Sequence, residues 1–207
     1  MQSESRRAHW EGIYTNKSEN ELSWFQKNPV PSLELIGRVG ATADSAIIDI
    51  GGGASRLVDN LVERRFEDVT VLDLSEAALE TTKARLGDDA GQVDWIVADV
   101  TVWEASKAYD IWHDRAAFHF LTEDHDRAAY ITSLERALKV GGYAVIATFA
   151  LDGPERCSGL PVVRYDPVSL GQTLGRSFQL VDARRHAHAT PWGTEQSFLF
   201  SIFSHCP

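Results

Sequence analysis

The apolar positions of this chain change period again and again. SAIIDI (45–50) is a nearly continuous apolar run, as expected for a strand covered on both faces. Three glycines interrupt it, and Leu57, Val58, Leu61 and Val62 then recur at helical spacing, predicting a helix over 55–63. DVTVLDL (68–74) predicts a second strand. Ser75 caps a helix that carries Ala78, Leu79 and Leu86 on its apolar side and acidic Glu76 in its first turn. VDWIVADV (93–100) and YDIWHD (109–114) predict the third and fourth strands. A helix is expected over 123–139, buried through Ala129, Tyr130, Leu134, Ala137 and Leu138 and ended by Gly141-Gly142. YAVIATFA (143–150) is the fifth strand.

Strand-helix alternation with apolar strands implies a parallel sheet with helices on both faces and right-handed connections. The tail breaks the alternation. FQLVDARRH (178–186) and EQSFLFSIFSH (195–205) are separated only by the turn-rich TPWGT, so they are expected to pair as an antiparallel hairpin. The predicted fold is α/β and Rossmann-like, mostly parallel, with an antiparallel C-terminal hairpin. No internal repeat or low-complexity linker interrupts it.

Composition narrows the partners. The 207 residues suit one domain, and 43% hydrophobic with 24% charged residues is an ordinary globular balance. The formal charge of −10 disfavours nucleic acid, whose phosphates need clustered Lys and Arg. Cys157 and Cys206 form neither a disulfide framework nor a zinc pattern, which suits a reducing cytosol. The N-terminal MQSESRRAHWEG has no apolar signal core, and no apolar run reaches membrane-spanning length. The expectation is a cytoplasmic protein without a membrane partner.

The glycine turn IDIGGGAS holds the candidate chemistry. Gly51, Gly52 and Gly53 let a ligand approach the backbone at the end of a strand, where α/β sheets bind ligands. A dinucleotide fingerprint G-x-G-x-x-G would place its third glycine at Arg56. Asp49 just before the turn is unfavourable to a pyrophosphate but suits an ammonium or sulfonium. Asp73, 20 residues after Gly53, is placed to accept both ribose hydroxyls, and Asp99 to accept an adenine amino group. Together these point to S-adenosylmethionine rather than a nicotinamide dinucleotide. An NAD-dependent oxidoreductase is the reading from another class.

With IDIGGGAS, LDLS, ADV, YDIWHDRAAFHFL and the closing hairpin, residues 46–205 resemble the class I S-adenosylmethionine-dependent methyltransferases. The chain departs from the common turn at Ser55, where a last glycine is usual; its hydroxyl is instead a candidate helix cap. The resemblance implies a seven-stranded sheet and cofactor contacts from Trp24, Asp49, Gly51, Gly52, Gly53, Asp73, Leu74, Asp99, Val100 and His113. It also implies an N-terminal lid over 1–44 ahead of a catalytic domain over 45–207. DRAA (114–117) looks like the D-R-G-A stretch of thiopurine-methyltransferase-like enzymes, with Ala116 in place of glycine, and like a segment of some protein-lysine methyltransferases.

For the acceptor, His113 is the candidate general base, expected to face the methyl donor. Phe25, Arg115, Phe118, Cys157 and Tyr165 are candidates for the acceptor pocket, and Asp114 and Arg115 are candidates for a mutual ion pair. Trp24 and Phe25 could close over the methionine end, whereas Trp10 and Tyr14, four apart, read as packing aromatics. His119, between two phenylalanines, reads as part of a semi-buried face. His186 and His188 share one face of a strand, yet no further ligand accompanies them, so no metal is expected. The leading expectation is methyl transfer to N, S or O of a small molecule. Protein-lysine methylation is the alternative, and the oligomeric state is open.

Overall fold

A computed structural model describes residues 3–207. Helix α1 (Ser3–Asn16) and α2 (Val30–Arg38) precede β1 (Ala46–Ile50). Then come α3 (Leu57–Glu63), β2 (Asp68–Asp73), α4 (Glu76–Leu86), β3 (Val93–Val97), β4 (Tyr109–Arg115), α5 (Asp124–Ala137) and β5 (Leu138–Phe149). A two-residue pair, β6 (Arg156–Cys157) and β7 (Leu160–Pro161), leads to α6 (Pro167–Leu174), β8 (Phe178–Ala189) and β9 (Glu195–His205).

The seven-stranded sheet has the order β3-β2-β1-β4-β5-β9-β8. Pairing is parallel up to β5, and antiparallel from β5 to β9 and from β9 to β8, as the terminal hairpin required. Side chains alternate across the sheet. Ile48, Ile50, Trp112 and Ile146 join Tyr130 and Leu134 of α5 on one face. Ile47, Ile111, Val145 and Phe200 join Leu33 and Ile36 of α2 and Leu57 and Leu61 of α3 on the other. The strand order reverses beside β1, between β2 and β4, and there the cavity opens.

Two boundaries differ from the sequence pattern. The long helix stops at Ala137, because Leu138 is already extended and pairs with Tyr109. Gly141-Gly142 therefore is not a helix stop. It lies within β5, next to a register shift between Tyr109 and Ile111, where a side chain on Gly142 would come within 2.9 Å of the Asp110 carbonyl oxygen. The third strand ends at Val97, so Asp99 sits in the loop beyond it. Among the described residues no helix is long and apolar enough to cross a membrane.

Candidate functional site

The cavity is built from the carboxyl ends of β1, β2, β3 and β4. Its walls include Ile50, Gly51, Leu72, Asp73, Leu74, Asp99, Val100, Arg115 and Leu121. Gly51 has φ +64°, and an added Cβ would lie 2.9 Å from Cβ of Ala117, so this position needs glycine for both conformation and space. A Cβ on Gly53 would meet Asp73 Oδ2 at 2.6 Å, so the turn is drawn tight against the carboxylate that ends β2. Ser55 accepts from Leu57 N at 3.1 Å, but the N-cap position of α3 falls on Arg56, so Ser55 stands one residue outside the cap its hydroxyl suggested.

Asp73 is buried, and Oδ1 accepts from Ser75 N at 2.8 Å. Burial among apolar walls pushes its carboxyl up to about 7, with the backbone hydrogen bond from Ser75 opposing and the nearby charge of Asp49 adding to the rise. Asp49 is buried beneath the turn. Its Oδ1 accepts from His113, while Oδ2 lies where a Cβ on Gly52 would meet it at 2.6 Å and has no hydrogen-bond partner. A buried carboxylate oxygen without a donor is costly, and a cation at the turn would relieve it.

Helix α1 covers one side of the cavity through one stripe. Arg6, Trp10 and Tyr14 follow at i, i+4 and i+8 and all line it. Arg6 is buried and donates Nη1 to Asp126 at 2.6 Å and Nη2 to Asp99 at 3.0 Å. Asp99 also accepts from Thr101 N at 2.9 Å and from the Thr101 hydroxyl at 2.7 Å. Glu11 on the same helix accepts from Ser75 Oγ at 2.7 Å and from Ala77 N at 3.2 Å, so it caps the start of α4 from another helix. Trp10 packs edge-on against Phe120 at 4.9 Å and Trp24 at 5.7 Å, and Tyr14 against Trp24 at 6.2 Å.

The far side of the cavity belongs to Arg115, Cys157, Gln196 and Phe198. Burial lowers the Arg115 guanidinium to about 10, with Asp49 opposing, so it stays charged at neutral pH. Burial pushes the Cys157 thiol up to about 11, so it stays protonated there. The Tyr14 hydroxyl is also raised, by burial and by the charge of Asp73.

Residues 47–142 match the family model described as a methyltransferase domain. Over that segment the chain is similar to methyltransferases, and the match supports a class I S-adenosylmethionine-dependent methyltransferase. It is 27% identical over 148 residues to a ubiquinone biosynthesis O-methyltransferase of Nitrosomonas europaea, covering 70% of this chain and 59% of that protein. It is 25% identical over 155 residues to EEF1A lysine methyltransferase 2 of Danio rerio, covering 68% and 66%. The match thus spans less than two thirds of either relative's length. Among solved structures, the Burkholderia thailandensis 1,6-didemethyltoxoflavin-N1-methyltransferase, with bound 1,6-didemethyltoxoflavin and S-adenosylhomocysteine, superposes with a TM-score of 0.70 at 19% identity. That superposition covers 99% of this chain and 87% of that one, and it shows the shared fold.

The expected residues divide. Trp24, Gly51, Asp73, Leu74, Asp99, Val100, Arg115 and Cys157 meet around one cavity. Asp49, Gly52 and Gly53 lie behind its wall and shape the turn. His113 does not reach the cavity. It pairs in register with Asp49, and both side chains point to the α2 face of the sheet. Its Nδ1 is 2.6 Å from Asp49 Oδ1 and its Nε2 accepts from Ser32 Oγ at 2.8 Å, so both ring nitrogens are used inside the core. The candidate base is a packing residue by position.

Phe118 and Tyr165 are also core residues, packed against each other at 5.7 Å; Phe120 and Leu121 take the lining positions instead. Phe25 lies in an adjoining crevice with Arg56 and Arg115. Asp114 and Arg115 do not pair. Asp114 accepts from Tyr130 Oη at 2.7 Å and from Ala117 N at 2.8 Å, while Arg115 Nη2 donates to Trp24 O at 2.6 Å. Adjacent residues of a strand point to opposite faces, which is why the doublet separates. Trp10 and Tyr14, expected only to pack, line the cavity. His119 is fully buried, with Nδ1 accepting from Phe149 N at 3.2 Å, and burial lowers it to about 3. His188 Nε2 donates to Ser23 O at 2.6 Å and so ties the loop before Trp24 to β8. His186 beside it is half-buried, and no cluster of three metal-ligating side chains occurs among the described residues.

Proposed function

We propose that the cavity binds S-adenosylmethionine and that the chain transfers its methyl group to a small-molecule nucleophile. One observation carries the reading: the strand-end carboxylate Asp73 stands in the cavity wall against the glycine turn, with the unpartnered Asp49 Oδ2 beneath that turn. These are acceptors suited to the hydroxyls and the cationic amino-acid end of a nucleoside bearing an amino acid. When bound, the cofactor supplies a methyl group already activated by its sulfonium charge.

Asp73 is suited to accept the ribose hydroxyls, and Leu74, Val100 and Leu121 offer apolar walls to the base. The side chain of Asp99 is engaged by Arg6 and Thr101, so it anchors α1 as well as lining the cavity toward the adenine amino group. Trp10, Tyr14 and Trp24 exclude water, and Arg115 fixes the Trp24 carbonyl. No histidine lines the cavity among the described residues, so alignment rather than a histidine base carries the step.

Incubating the protein with methyl-labelled S-adenosylmethionine and a cell lysate tests this reading. Label is expected in the small-molecule fraction. The lysine methyltransferase relative supports a second reading, in which label would appear in protein bands instead.

A further inference from the structure

The acceptor side of the cavity holds a cation without an anion. Arginine presents five N–H donors, yet for Arg115 only Nη2 is committed, to Trp24 O at 2.6 Å. Among the described residues no carboxylate pairs with this guanidinium, whereas the half-buried Arg56, Arg85, Arg127, Arg164 and Arg184 each have a carboxylate partner. The other arginines without an ion pair are exposed to solvent. Asp49, the carboxylate whose charge acts on Arg115, is bonded to His113 instead.

A second group points the same way. Gln196, from β9, is 9% exposed and lines the same cavity, and its Oε1 has no hydrogen-bond partner. It can accept from an O–H or N–H of a ligand. Flat apolar surfaces line the same cavity: Phe198 sits 5.7 Å from the Arg115 guanidinium, and Trp24 and Tyr14 also face it. A guanidinium fork matches a carboxylate, and aromatic walls match a planar ring.

We propose that Arg115 and Gln196 form the acceptor subsite, and that the methyl acceptor is a planar aromatic acid carrying a hydroxyl or amino group. Arg115 holds the carboxylate, Gln196 accepts from the hydroxyl or amine, and Trp24, Tyr14 and Phe198 clasp the ring. The proposal rests on the methyl-transfer reading of this cavity. It also disfavours a lysine acceptor, whose ammonium would face Arg115.

The probes are 2-, 3- and 4-hydroxybenzoate and the three matching hydroxybenzamides, titrated into protein loaded with S-adenosylhomocysteine and followed by tryptophan fluorescence. At least one acid is expected to bind about tenfold tighter than its amide, a difference of about 1.4 kcal/mol. Arg115→Met should abolish that preference and Arg115→Lys should keep part of it. Equal binding of acid and amide across all three pairs overturns the proposal, as does a preference that survives Arg115→Met. The cofactor's own carboxylate is separated by comparing S-adenosylhomocysteine with 5′-methylthioadenosine, which lacks the amino-acid end. If Arg115→Met weakens only the former, Arg115 serves the cofactor and the proposal fails. Wild-type protein that binds neither nucleoside overturns the methyl-transfer reading, and the acid–amide comparison on the unloaded protein then still decides the anion subsite.

Discussion

Asp73 has two opposed effects that one substitution separates. The unfolded chain releases its proton near 3.8, while the folded protein holds it to about 7. The folded state binds more protons across that window, so stability falls as pH rises from about 4 to 7. Asp73→Asn should therefore flatten that part of the stability–pH curve and leave the cofactor-free protein more stable at pH 8, as read by thermal melting. The same change should weaken S-adenosylhomocysteine binding by about 1–3 kcal/mol, because the ribose hydroxyls lose an ionised acceptor. His113→Ala should act on stability: it strips Asp49 of its donor and lowers unfolding free energy by about 1–3 kcal/mol in urea. Lost turnover with unchanged stability would return His113 to the chemistry. Ala116 sits at φ +73°, where the resembled segment has glycine. Ala116→Gly should relieve about 1 kcal/mol of left-handed strain, a gain visible as a higher urea midpoint. Asp49, Gly51 and Asp73 were readable from sequence because each is tied to a local event, the end of a strand. The direction of His113 was not, because it depends on register: its partners Asp49 and Ser32 lie 64 and 81 residues away.

At the scale of elements, α1 is the piece that the sequence disclosed least. Its mean pattern is polar, yet Arg6, Trp10 and Tyr14 form a stripe whose partners lie far along the chain; Arg6 reaches Asp99 and Asp126 across 93 and 120 residues. Spacing of i, i+4 and i+8 was the only local signal, and spacing alone does not name a partner. The parallel core and the hairpin were legible because apolar runs and short turns are local. The α5–β5 boundary was misplaced because a glycine pair within a strand reads like a helix stop. Arg6 is the latch of α1. Arg6→Met removes the guanidinium that the buried Asp99 and Asp126 share, and removing one partner of such a group typically costs about 3–5 kcal/mol. Hydrogen exchange should then show loss of protection in α1 first, with the sheet amides less affected. Uniform loss across the sheet would mean that α1 is an integral part of the core rather than a cover.

At the scale of the molecule, one sheet positions the glycine turn, Asp73, Arg115, Gln196 and Phe198. Its order places β1 between β2 and β4, so the glycine turn, Asp73 and Arg115 emerge side by side at one edge of the parallel layer, while β9 brings Gln196 and Phe198 to the far side. The cavity wall carries Asp73 and Asp99 on one side and the Arg115 guanidinium on another, an asymmetry that an overall charge of −10 does not reveal. Shape and charge together favour an amino-acid-bearing nucleoside over a dinucleotide, whose pyrophosphate would lie at a turn backed by the buried Asp49. Calorimetric titration of the protein with S-adenosylhomocysteine, and in parallel with NAD⁺, tests that claim most directly. The account predicts one-to-one binding of S-adenosylhomocysteine that strengthens as pH rises through about 7, where Asp73 ionises, and no comparable binding of NAD⁺. Binding of NAD⁺ without S-adenosylhomocysteine would contradict it.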